Sequence, residues 1–180
     1  MNDMEAAKAL TKKQIEVLEN LLSYIPAVKE VVKKFDGKVL NKRLDTALGQ
    51  ATDGKAICWK NTYTDGFEIK LWESTDRYIS VPNAANNYAI AYYVKQEYIF
   101  LAYSAEKTEW LTEDGRIKAD VLNATIDKQV ASAAKEVENL KVQLEYVDYF
   151  IAEFKRIKRE RMEFEKNTNH LLREYFGLKF

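Results

Sequence analysis

From Lys155 to Lys166 the chain reads Lys-Arg-Ile-Lys-Arg-Glu-Arg-Met-Glu-Phe-Glu-Lys, with six positive and three negative side chains in twelve positions. Cations at this density can neutralise phosphates of DNA or RNA, or grip an acidic protein surface. On a helix Lys155, Arg159 and Met162 share one face and Lys158 lies beside Arg161. The candidate contact set is therefore Lys155, Arg156, Lys158, Arg159 and Arg161. The same residues also have a purely local reading. Positive charge late in a helix suits its dipole, and Glu160, Glu163 and Glu165 can pair with the bases around them.

Other reactive side chains are scarce. His170 is the single histidine and Cys58 the single cysteine, so neither a His-rich metal centre, nor an internal disulfide, nor a convincing Cys/His dyad can be assembled. Cys58, beside Trp59 in an apolar run, reads as a small buried hydrophobe with no base to activate it. Glu106, Glu109, Glu113 and Asp114 could pair as acid and base or hold a hard cation, but they do not follow the Asp-x-Asp-x-Asp-Gly calcium loop. Neither Gly-x-x-x-x-Gly-Lys nor Gly-x-Gly-x-x-Gly occurs. No catalytic residue, metal or cofactor is expected, and the chain reads as non-enzymatic.

Composition narrows the partners. Twenty-eight Lys and Arg balance 28 Asp and Glu, which argues against bulk-charge binding of nucleic acid and equally against an acidic mimic of DNA. With 47% hydrophobic residues the chain can bury a core, and 180 residues make one domain. No apolar run approaches the length of a membrane span, and Asp3 and Glu5 stand where a signal peptide would be basic. The expectation is a soluble cytoplasmic protein with no membrane contact.

The basic strip has to be positioned by a long helix. Ile126, Val130, Ala133, Val137, Leu140, Leu144, Val147, Ile151 and Phe154 follow alternating steps of four and three, the spacing of a coiled-coil seam. Asp114-Gly115 supplies a turn beforehand, so one helix is predicted over 117–167, with a short capped terminal helix or tail over 168–180. Tyr146, Tyr149, Phe150 and Phe154 widen its apolar face. Leu18, Leu21, Ile25, Val28, Val32 and Phe35 repeat the same steps near the start, with Thr11 and Gln14 in capping-box spacing. The two seams predict an antiparallel coiled-coil hairpin of helices, and a homodimer of such helices is an alternative. Pro26 should kink or break the first helix. A short helix over Asn41–Leu48 would complete a helical segment over 1–50.

Residues 55–112 change character. Twelve aromatics between Lys55 and Trp110 favour strands. Ala56–Tyr63 and Phe67–Leu71 read as a hairpin about Thr64-Asp65-Gly66, with Phe67, Ile69 and Leu71 inward. Tyr78–Val81 is a third strand, and Tyr88–Val94 and Tyr98–Ser104 are a further pair joined at Lys95-Gln96-Glu97. The class is α+β, with a small aromatic-rich antiparallel sheet of four to five strands inserted between helices. Seven positive and nine negative residues over 55–116 disfavour a polyanion on that sheet. Exposed Tyr or Trp there would suit a protein contact.

The stretch Lys34-Phe-Asp-Gly-Lys-Val-Leu-Asn-Lys-Arg-Leu, the Tyr-rich sheet, the long heptad helix and the closing Arg173-Glu-Tyr-Phe-Gly-Leu-Lys-Phe resemble small accessory proteins of phages and mobile elements of Gram-positive gut bacteria. Some of these are anti-CRISPR proteins that bind and inhibit Cas9 or its guide complex. Such proteins share no residue signature, so the resemblance implies a partner class and transfers no site residue. The expected function is a non-enzymatic interaction protein that inhibits a host or rival nucleoprotein, in its sharpest form a type II Cas9 inhibitor. The alternative is a nucleic-acid-binding accessory protein using the strip over 155–161.

Overall fold

The elements run α1 (Asn2–Ser23), α2 (Ile25–Lys34), α3 (Lys42–Ala51), β1 (Ala56–Lys60), β2 (Phe67–Glu73), β3 (Tyr78–Pro82), β4 (Ala89–Tyr93), β5 (Glu97–Ser104) and α4 (Ala119–Phe176). The structure is a computed structural model that describes residues 2–60, 66–73, 78–82, 89–93, 97–104 and 109–177. The α+β class holds.

Pro26 produces a break and not a kink. It lies in the first turn of α2, where a missing N–H costs no helical bond, and Tyr24 separates the two helices. Leu18, Leu21, Ile25, Val28 and Val32 are buried and Phe35 is half-buried, as their spacing requires. Thr11 is not a cap. Its hydroxyl donates to the Ala7 carbonyl at 2.9 Å inside a helix that already starts at Asn2, because the Ala-rich residues before it are strong helix formers. Asn41 does cap α3, accepting from the Arg43 N–H at 2.9 Å.

α4 is 58 residues long, about 87 Å at 1.5 Å per residue. The separate terminal helix expected from residue 168 is instead its last turns. Asn167, Thr168 and Asn169 each disfavour a helix by only about 0.5–0.7 kcal/mol, and the first glycine to stop it is Gly177, at φ 66°. At the other end Lys118 offers no cap, and the anchor comes from far away in sequence. The Asp36 carboxylate, in the turn after α2, accepts from the Ala119 N–H at 2.8 Å. It places negative charge at the positive end of the helix. Gly37, at φ 67°, turns the chain so that its N–H reaches the Ile117 carbonyl at 2.8 Å, while the Ile117 N–H returns to the Lys38 carbonyl at 2.9 Å.

α1 and α2 run antiparallel to α4. Lys8 pairs with Asp148, Glu19 with Lys141 at 3.0 Å and Lys29 with Asp127 at 2.7 Å, so numbers rise on one side as they fall on the other. β5 also packs on α4. The structure establishes this helix-on-helix and helix-on-sheet packing, which is coarser than the two-helix coiled coil read from the spacing.

The strands differ from the expected single sheet of four to five. β1, β2 and β5 form a three-stranded antiparallel sheet in the order β1-β2-β5, and β3 and β4 pair separately. Among the described residues β4 (Ala89–Tyr93), expected to pair with Tyr98–Ser104, pairs with β3 instead. Burial decides the matter: β5 beside β2 sets Ile99 against Leu71 and Ala102 against Ile69, all four closed to water. The two turns proposed at Thr64-Asp65-Gly66 and Lys95-Gln96-Glu97 fall largely outside the described residues. Phe67 is half-buried and Ile69 and Leu71 are buried, as expected. Gly66 has no room for a side chain, since a Cβ would lie 2.1 Å from the Ser104 carbonyl oxygen. Thr52 links α3 to β1, donating to the Leu48 carbonyl and accepting from the Ala56 N–H, both at 2.7 Å.

Two substitutions test these joints by urea denaturation. Asp36→Ala should cost about 1 kcal/mol, the usual value of a lost cap. Gly66→Ala should cost roughly 1–3 kcal/mol through overpacking against β5. A wild-type midpoint for either variant would contradict the contact described.

Candidate interaction surface

The basic strip stands on the part of α4 that has outrun its neighbours. Among the described residues Ile151 is the last buried residue of the helix, and the last ion pair from α1 joins Glu5 to Lys155 at 3.6 Å. From Lys155 to Asn167 every residue is exposed, and beyond that only Thr168 and Leu172 are half-buried among the described residues. α1 begins at Asn2. The overhang from Lys155 to Phe176 is about 33 Å of helix.

The five predicted contact residues are all there, but not all are available. Arg156 is clamped by its own helix, donating to Glu153 at 2.8 Å and to Glu160 at 2.6 Å. These hydrogen bonds hold Arg156 even further above its ordinary range and pull the Glu153 carboxyl below its own. Arg161 donates to Glu165 at 2.9 Å, and Lys155 has Glu5. Lys158 and Arg159 make no ion pair among the described residues. The local-pairing reading thus holds for Arg156 and Arg161, and the charge left open is carried by Lys158 and Arg159, together with Lys166, which the sequence reading did not single out.

Seven-residue spacing organises the overhang. Arg159, Lys166 and Arg173 fall on one line. Phe150, Ile157, Phe164 and Leu171 fall on another, offset by two residues, roughly 200° around the helix. These four apolar side chains are 51–70% exposed, so the body of the protein does not use them. The helix carries a basic edge and an apolar edge on opposite faces. The recurrence beyond Phe154 was the signal for the second edge.

The remaining chemical candidates lie apart from it. Cys58 is buried, and its N–H donates to the Asp45 carboxylate at 2.8 Å. Burial, and next the Asp45 charge, push its thiol up to about 12, so it stays protonated and unreactive. His170 is exposed and lies 3.4 Å from Glu174. Asp114 is tied to the Thr112 hydroxyl at 2.5 Å and to Arg116 at 2.6 Å, which lowers its pKa. Glu106 falls outside the described residues. No three His, Cys, Asp or Glu residues gather into a cation site among the described residues. On the outer face of the sheet, Trp59 and Tyr98 are 56% and 58% exposed, and the Lys70 ammonium lies 5.8 and 5.9 Å from their rings. This small aromatic–cation patch spans all three strands.

No protein-family model, curated protein or solved structure matches the chain. Among the described residues no helix is long and apolar enough to cross a membrane.

The Cys58 thiol gives a pH test. The folded protein keeps its proton between about 9 and about 12, while the unfolded chain loses it near the ordinary value for cysteine. This contribution to stability is complete below that window and is lost as pH rises through it. The gap in urea midpoint between wild type and Cys58→Ala should therefore narrow above about pH 9. A gap that stays constant with pH would show that the thiol titrates alike in both states.

Proposed function

We propose that this protein acts by attachment and not by catalysis, docking the overhanging end of α4 on a nucleoprotein. The observation that carries the reading is the overhang itself, about six helical turns beyond the ion pair of Lys155 with α1, whose Arg159 and Lys166 are neutralised by nothing among the described residues. A cation that its own chain leaves unpaired is free to meet a phosphate or a carboxylate. Lys155 stands at the base of the same edge, paired with Glu5 at 3.6 Å, and extends the edge toward the body. The zero net charge of the whole chain favours such a local contact over broad adhesion to nucleic acid. The Trp59–Lys70–Tyr98 patch adds a protein-facing anchor of the kind common at interfaces.

The sharpest version, suggested by the resemblance to accessory proteins of mobile elements, is inhibition of a guide-loaded type II Cas9. Titrating the protein into a Cas9 cleavage reaction should stop cleavage at near-stoichiometric amounts. Reversing charge at both Arg159 and Lys166, each to Glu, should weaken inhibition by about tenfold or more, one decade being 1.4 kcal/mol. Unimpaired inhibition by that variant would move the contact off the basic edge. Undisturbed cleavage with wild type, joined to nucleic-acid binding that falls steeply with salt, would favour the accessory nucleic-acid binder. The absence of both would remove the reading.

A further inference from the structure

We infer that the apolar edge of the overhang pairs antiparallel with the same edge of a second copy, in one register set by Arg161. The proposal is independent of the reading of the basic edge, which lies on the opposite face and stays open in the pair. The exposed fractions of Phe150, Phe154, Ile157, Phe164, Leu171 and Tyr175 run from 47 to 73%. Taking ~200 Å² for each aromatic side chain, they present on the order of 600 Å² per copy. Two copies then bring about 1,200 Å² together, the lower end of stable interfaces.

Four-three spacing continues along this edge as Phe150, Phe154, Ile157, Arg161, Phe164, Thr168, Leu171 and Tyr175, so one charged residue, Arg161, stands in the line of contact. A parallel pair would set Arg161 against Arg161 of the partner and Glu160 against Glu165, both repulsive. In an antiparallel pair with its two-fold axis between Met162 and Glu163, Arg161 meets the ring of the partner's Phe164. Phe154 then meets Leu171, Ile157 meets Thr168 and Phe150 meets Tyr175. The same register puts Lys158 beside Glu165, twice by symmetry. Its like-charge approaches are Glu153 to Glu174, where Glu153 is already held by Arg156, and Arg161 to Arg161 in the neighbouring layer, where each Arg161 is already held by its own Glu165. Sliding by one heptad toward the body sets Lys158 against Lys158 and Glu160 against Glu160. Sliding the other way sets Glu165 against Glu165. A single polar residue in an apolar seam choosing register and direction is the known behaviour of such seams.

The length fits as well. In this register Tyr175 of each copy reaches Phe150 of the other, so the overlap uses the whole overhang. The face is free: Ile151 is buried, while Phe150 and Phe154 beside it remain about half exposed.

Sedimentation equilibrium over a concentration series reads the assembly. Wild type should approach twice 20.9 kDa, and Ile157→Glu with Phe164→Glu should give 20.9 kDa with an unchanged denaturation midpoint of the body. Register is read by charge exchange. Lys158→Glu and Glu165→Lys should each weaken the dimer severalfold, and the double variant should restore it. A wild type that stays at 20.9 kDa at the highest concentrations reached would overturn the pairing. A dimer that survives the two glutamates, or single exchanges without restoration in the double variant, would overturn the edge or the register. Loss of dimer would leave the basic-edge assay readable on its own.

Discussion

Between Leu122 and Ile151 one side of α4 is buried or half-buried where α1, α2 and β5 pack on the helix, and the rest of the molecule is arranged around that contact. Leu21, Val28, Val32, Leu122 and Ile126 have no exposed surface. Each buried side chain of this size contributes about 1.5–3 kcal/mol, whereas the ion pairs flanking the contact are exposed and contribute little to stability. The apolar contact therefore holds the helices together, and the pairs Lys8–Asp148, Glu19–Lys141 and Lys29–Asp127 serve mainly to fix direction and register. Asp36 ties the turn after α2 to the first N–H of α4, so the two partners of the contact are also joined at one end.

From this constraint the division of the chain into a body and an overhang follows. α1 is 22 residues long and α4 is 58. Antiparallel packing from a common anchor must leave the far end of the longer helix uncovered. A stretch of helix with no packed face lacks the tertiary packing from which most helical stability comes and keeps only small gains from i,i+4 pairs such as Arg156–Glu160 and Arg161–Glu165. Its helicity is continued from the body, and its apolar edge is stabilised further by whatever covers it. A segment built this way is suited to contact with something else.

The elements legible in the sequence were those whose signal is periodic. The seams of α1, α2 and α4 and the inward alternation of Ile69 and Leu71 were all written in local spacing. What was not legible depended on distant partners. Nothing near Lys118 announces that Asp36 will cap α4. The pairing of β5 with β2 and not β4 rests on a common core assembled across more than twenty residues of chain. The stop expected at Asn167-Thr-Asn failed because weak helix formers without glycine or proline do not end a helix that is already propagating. At the candidate site, composition identified the basic strip, but only side-chain geometry separated Arg156 and Arg161, satisfied within the helix, from Lys158 and Arg159.

α4 is one helix with two sources of stability, packing up to Ile151 and borrowed helicity beyond Lys155. Segment-resolved amide hydrogen exchange on the full chain, at concentrations low enough to keep copies apart, measures this directly. The account predicts protection near the global unfolding free energy over 122–151 and a steep fall over 158–174. Uniform protection along the whole of α4 in the separated chain would contradict it.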